Sequence, residues 1–131
     1  MVQQPQIQQS VPARPGANGS IWSTGPMLRP SAAEDYYGRV FIEVFESDSQ
    51  VTIVGGDRSL LPRARTVLTG GYIPLRDSAL PWTNEPATGK RANQAFLGRV
   101  VVEMWSNQAV VGITGADPRV VERATQRLML L

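Results

Sequence analysis

The stretch Gly38 to Leu68, GRVFIEVFESDSQVTIVGGDRSLLPRARTVL, returns sixty positions later as Gly98 to Leu128, GRVVVEMWSNQAVVGITGADPRVVERATQRL. No gap is needed to lay one over the other. Gly38/Gly98, Arg39/Arg99, Val40/Val100, Glu43/Glu103, Val51/Val111, Ile53/Ile113, Gly55/Gly115, Asp57/Asp117, Arg63/Arg123, Ala64/Ala124 and Leu68/Leu128 are identical, and Phe41/Val101, Ile42/Val102, Val44/Met104, Phe45/Trp105, Leu60/Val120 and Leu61/Val121 exchange one apolar residue for another. Extending backwards adds Ala32/Ala92, Pro26/Pro86 and Trp22/Trp82. That makes 14 identities over the 50 pairs joining 22–71 to 82–131, where ordinary composition gives roughly 3 by chance. The chain reads as a tandem duplication, and repetition of this kind is settled before single motifs are weighed.

Arg39 to Phe45 alternates, with Val40, Ile42 and Val44 on one face and Phe41, Glu43 and Phe45 on the other, and β-branched residues are frequent. This pattern predicts a strand. Its second face is also largely apolar, and Phe41 and Phe45 return as Val101 and Trp105, so that face is expected to be covered or to meet a partner. The polar run Glu46 to Ser49 fits a hairpin loop, and Gln50 to Val54 resumes the alternation; Ser106 to Ala109 and Val110 to Thr114 are the counterparts.

Asp57 and Asp117 stand where helix N-caps belong, with Pro118 at the first helical position. Leu60, Leu61, Ala64, Val67 and Leu68 then form a helical stripe, matched by Val120, Val121, Ala124 and Leu128. Pro62 is expected to delay or bend the first of these helices. Upstream, Ser31 and Glu34 have capping-box spacing and Gly38 suits a helix stop, which predicts a two-turn helix over 30–38 and a counterpart running to Gly98. Each copy therefore reads helix, strand, strand, helix.

Two such copies predict an α+β domain: a four-stranded antiparallel sheet, the two longer helices on one face, and a pseudo-two-fold axis between the halves. Repeat 1 covers 30–71, a linker with the second Trp covers 72–89, and repeat 2 covers 90–131. Residues 1–29 are rich in Gln and Pro and lack apolar periodicity, a composition that cannot offset its ordering entropy by burial. They read as an extended arm. Trp22 and Trp82, each just ahead of its repeat, suggest clasps that pack on the sheet or on the next subunit.

With 131 residues the chain is long enough for one domain without a metal or disulfide staple. It contains neither Cys nor His, which removes the thiol and imidazole ligands of zinc sites, thiol nucleophiles and Ser/His/Asp triads. No catalytic, cofactor-binding or metal-ligating residue is predicted. No apolar run approaches the roughly 20 residues of a membrane span, and the first residues lack a charged segment followed by an apolar one, so no export signal is expected. The expected location is the cytoplasm of the producing cell or a virion.

Net charge is +2, and 12 of the 13 basic residues are Arg, a residue frequent at protein and nucleic-acid interfaces but also favoured by GC-rich codons. Arg119, Arg123 and Arg127 are spaced i, i+4, i+8 and predict a basic stripe for nucleic acid or an acidic partner, or a solvated face. Gly55-Gly56-Asp57 before a helix has the look of an anion cradle, but an Asp there repels phosphate and a tight turn explains it better. Glu43 and Glu103 are expected to pair with Arg39 and Arg99 across strands rather than to form a carboxylate pair.

The reading these features favour is a non-enzymatic structural subunit of a large assembly, such as a bacteriophage virion or a bacterial ring or sheath, with the arm tying neighbours. Trp22, Trp82, Phe41, Phe45 and Trp105 are its candidate interface residues. Its expected partners are copies of itself or other subunits of that assembly. A nucleic-acid-binding module using the Arg stripe is the alternative, and a small-molecule or lipid-binding domain the third.

Overall fold

The computed structural model describes residue 28 and residues 35–55, 57–76 and 95–131. Six elements follow in order: β1 (Tyr36–Phe45), β2 (Ser49–Val54), α1 (Leu60–Gly70), β3 (Phe96–Trp105), β4 (Ala109–Thr114) and α2 (Arg119–Met129). The strands form one antiparallel sheet in the order β2-β1-β3-β4. The domain is therefore α+β, with a four-stranded antiparallel sheet and two helices packed against it.

The register carries the sixty-residue offset into three dimensions. In β1–β2, Val40 faces Ile53 and Ile42 faces Val51; in β3–β4, Val100 faces Ile113 and Val102 faces Val111. At the centre, Phe41 of β1 lies opposite Val101 of β3, its own counterpart, so the local two-fold passes through that pair.

The alternation read from the sequence sorts the sheet into two faces. Val40, Ile42, Val44, Val100, Val102 and Met104 face the helices and form the core with Leu60, Leu61, Ala64 and Leu68 of α1 and Val120, Ala124 and Leu128 of α2. Full burial of a side chain of this size contributes about 1.5–3 kcal/mol, so this layer is the main hydrophobic contribution to the fold. Pro62 falls in the first turn of α1, where its missing N–H costs little. α1 begins at Leu60, one position later than α2 does by the repeat.

One expectation is corrected. Residues 36–38 and 96–98 are strand, not the ends of short helices stopped by Gly38 and Gly98; the rest of those predicted helices lies outside the described residues. The glycines do adopt positive φ, 136° and 148°, but they do so where β1 and β3 shift register against each other, skipping Tyr37 and Leu97. A bulge glycine and a helix-stop glycine ask the same of the backbone. Close approach fixes Gly98 as well, since a Cβ there would meet the Thr114 carbonyl oxygen at 2.0 Å.

Candidate functional site

The helix-distal face of the sheet holds the most unusual chemistry in the fold. β1 and β3 place Arg39, Glu43, Arg99 and Glu103 there around the central Phe41–Val101 pair, and all four charged side chains are buried. The register sets Arg39 opposite Glu103 and Glu43 opposite Arg99. Arg99 Nε lies 3.4 Å from Glu43 Oε2, and Arg39 Nη1 lies 3.9 Å from Glu103 Oε2. The carboxylates are thus partnered by guanidinium groups rather than by each other. Glu103 also accepts the Leu28 N–H at 3.0 Å, which places residue 28 against this face.

Aromatic rings flank the charges at both ends in matching fashion. Tyr36 packs on Trp105 with centroids 5.1 Å apart, and the corresponding Phe96 packs on Phe45 at 5.5 Å. The Arg39 guanidinium lies 5.8 Å from the Tyr36 ring, and that of Arg99 lies 5.1 Å from the Phe96 ring, within reach of a favourable cation–ring contact. The halves differ in two ways: Trp105 stands where its counterpart is Phe45, and Tyr36 carries a hydroxyl that accepts a hydrogen bond from Arg39 Nη1, whereas Phe96 has none. Burial pushes the Tyr36 hydroxyl up to about 12 against the lowering influence of Arg39. It stays protonated at neutral pH and is no general base there.

Buried charges are costly unless paired and further hydrogen-bonded, and here paired groups are enclosed with 0–1 % exposure. A ligand cannot touch them without lifting what lies over them. The cluster therefore acts as a register lock: a slip by one residue would set each charge against an apolar neighbour and turn the pattern to the other face.

A second set of arginines joins the halves on the outside. Arg123 of α2 donates to the Phe45 carbonyl at 2.9 Å and to that of Glu46 at 2.6 Å, while Arg63 of α1 donates to the Trp105 carbonyl at 2.9 Å. These are corresponding bonds, since Arg63/Arg123 and Phe45/Trp105 are both sixty apart. Each helix thereby holds the end of the opposite half's first strand. Arg127 Nε donates to the Ser49 carbonyl at 3.2 Å, and Arg119 bridges Asp117 at 2.8 Å and Glu46 at 3.2 Å. The predicted stripe thus directs several of its donors to the β1–β2 hairpin of its own chain. The identity of Arg63 with Arg123 was the sequence signal for this crossed pair, although α1 shows no stripe.

The Asp turns are likewise engaged internally. Asp57 accepts the Ser59 N–H at 2.9 Å, and Asp117 accepts the Arg119 N–H at 2.8 Å. These are local Asp turns just ahead of the helices; the N-caps themselves are Ser59 and Pro118, not Asp57 and Asp117 as expected, and the first helical residues are Leu60 and Arg119. The Arg119 side chain holds the Asp117 carboxyl down at about 2, and the Ser59 hydrogen bonds lower that of Asp57. Backbone donors that could cradle an anion are covered by carboxylates.

The outer strands part company at their edges. Along β4, the Leu75 N–H donates to the Val111 carbonyl at 2.9 Å and the Ile113 N–H donates to the Leu75 carbonyl at 2.8 Å, making a parallel bridge between Leu75 and Gly112. Within 71–76, Leu75 alone makes such a bridge. Among the described residues nothing pairs with the outer edge of β2. A groove of about 400 Å³ runs there, lined among others by Val51, Ile53, Leu61 and Arg127.

Of the predicted interface residues, Phe41, Phe45 and Trp105 are buried within the chain, so the apolar face is covered rather than open. Trp22 and Trp82 lie outside the described residues. Among the described residues no cluster of three or more acidic groups is placed to hold a metal ion, and no helix is long and apolar enough to cross a membrane. Compared with protein-family models, with curated proteins and with solved structures, the chain matches none.

Proposed function

We propose that this protein is a non-enzymatic structural subunit of a multi-copy assembly, a virion or a bacterial ring or sheath, whose N-terminal arm over 1–29 ties neighbouring copies together. We further propose that its two halves are copies of one ancestral ββα unit; the shared register supports this, with each strand pair of one half repeated in the other sixty residues on.

One observation carries the assembly reading. β2 leaves an outer edge without a partner among the described residues and keeps Val51 and Ile53 only half-buried, whereas the matching β4 edge is bridged by Leu75 and its Val111 and Ile113 are buried. An unpaired edge beside apolar side chains is a template for another extended chain. The buried Arg–Glu cluster is closed to ligands, and the α2 arginines turn donors to their own hairpin, which weakens the nucleic-acid alternative.

Light scattering on the full chain is expected to give a stable oligomer that dissociates when residues 1–29 are deleted. A full-length monomer, or an oligomer indifferent to the deletion, overturns the reading.

A further inference from the structure

The two edges suggest what binds the open one. The segment that covers β4 is Ile73-Pro74-Leu75-Arg76, in which Leu75 makes both backbone bonds to β4. The arm contains the same pattern, Val11-Pro12-Ala13-Arg14: β-branched residue, proline, aliphatic residue, arginine. These four residues lie outside the described part of the chain.

The logic of the pattern is physical. Proline cannot donate to a sheet, so it is tolerated beside a residue that makes a single bridge on an edge. The aliphatic residue after it then supplies both the N–H and the C=O. On β4 the receiving groups are the Val111 carbonyl and the Ile113 N–H. The shared register makes the Val51 carbonyl and the Ile53 N–H their counterparts on β2.

Charge points the same way. Arg76 lines a groove with Asp117 at the start of α2. The counterpart of Asp117 is Asp57, an exposed carboxylate that stays ionised because its hydrogen bonds to Ser59 lower its pKa. An arginine following the bridging residue on β2 would meet it.

We infer that Val11–Arg14 of a second copy adds to the open edge of β2 as a parallel strand, with Ala13 opposite Thr52 as Leu75 is opposite Gly112, and Arg14 beside Asp57. This rests on the assembly reading and names the contact through which that assembly forms. Passed on from copy to copy, this contact makes a ring or a filament; given reciprocally between two copies, it makes a two-fold dimer.

The chain has no cysteine, so introduced thiols report the contact cleanly. Chains carrying Ala13→Cys and chains carrying Thr52→Cys are mixed and oxidised. Facing residues on neighbouring strands lie within disulfide reach, and Thr52→Cys changes little volume. The expected result is a covalent dimer that requires both variants. A disulfide found only inside a doubly substituted chain overturns the inference, since the arm then folds onto its own sheet. Absence of any 13–52 link in a chain that still oligomerises overturns it as well and leaves the assembly reading standing, whereas a monomeric full chain removes both. Arg14→Glu is expected to weaken association about tenfold by setting like charges together; unchanged association contradicts the placement of Arg14.

Discussion

Val111 and Ile113 on β4 are each 1 % exposed, yet Val51 and Ile53, identical residues at identical register positions on β2, are only half-buried. The cause lies outside the repeated residues. α1 leads into Gly71–Arg76, whose Leu75 bridges β4 and closes that edge. The repeated pattern sets which way a side chain points, and the connecting segment sets whether water reaches it. Two halves with one architecture thereby present one finished edge and one unfinished edge, and the difference between them is the most informative feature of the fold.

The sharpest way to break the comparison is at the buried charges, where the halves agree most closely. Glu43→Ala and Glu103→Ala each strand a guanidinium in the interior, and each is expected to cost about 3–5 kcal/mol in urea unfolding. The two costs should be of the same order, because each carboxylate meets the arginine of the other half, although Glu103 also accepts the Leu28 N–H and Arg39 keeps the Tyr36 hydroxyl. A loss confined to one variant would show that the two pairs are not equivalent.

A smaller effect is expected from the crossed helix arginines. Arg63→Ala and Arg123→Ala each remove a hydrogen bond to a strand-end carbonyl of the opposite half, worth about 1 kcal/mol apiece at a partly exposed site. Arg123→Ala should cost slightly more, since Arg123 also bonds the Glu46 carbonyl. Chemical denaturation at neutral pH reads both.

The subtlest test uses the hydroxyl that Tyr36 carries and Phe96 lacks. Between pH 10 and about 12 the unfolded chain ionises Tyr36 while the folded chain keeps it protonated. The unfolded state then binds fewer protons, and stability falls as pH rises through that window. Tyr36→Phe makes this flank match Phe96 and should remove that part of the alkaline loss. A residual slope remains from Tyr72, whose hydroxyl is also raised by burial. An alkaline limb identical to that of the unsubstituted chain would show that Tyr36 is solvated.

Much of this was legible in the chain. The alternation at Arg39 to Phe45 and Gln50 to Val54 located β1 and β2, missing a few residues at their starts. The stripe Leu60, Leu61, Ala64, Leu68 located α1 and the face it buries. Such readings succeed because side-chain direction repeats every two residues in a strand and every 3.6 in a helix, whatever the partner. The predicted helix ends at 36–38 and 96–98 are strand instead, since a positive φ at Gly38 and Gly98 serves a bulge as well as a helix stop. The crossed pairing of Arg63 and Arg123 was hidden for another reason: their acceptors are backbone carbonyls, which every residue carries.

The sequence by itself determined the two strand-strand-helix runs sixty residues apart, the identity of the core stripe and the opposite charges at Arg39, Glu43, Arg99 and Glu103, because these depend on local periodicity and on residue type. Only the tertiary structure decided that the charged face is closed, that the α2 arginines bind their own hairpin, and that Leu75 bridges β4 while, among the described residues, nothing pairs with the outer edge of β2. Those outcomes depend on which distant segments come to lie against each surface, and burial is a property of that contact, not of the residue that undergoes it.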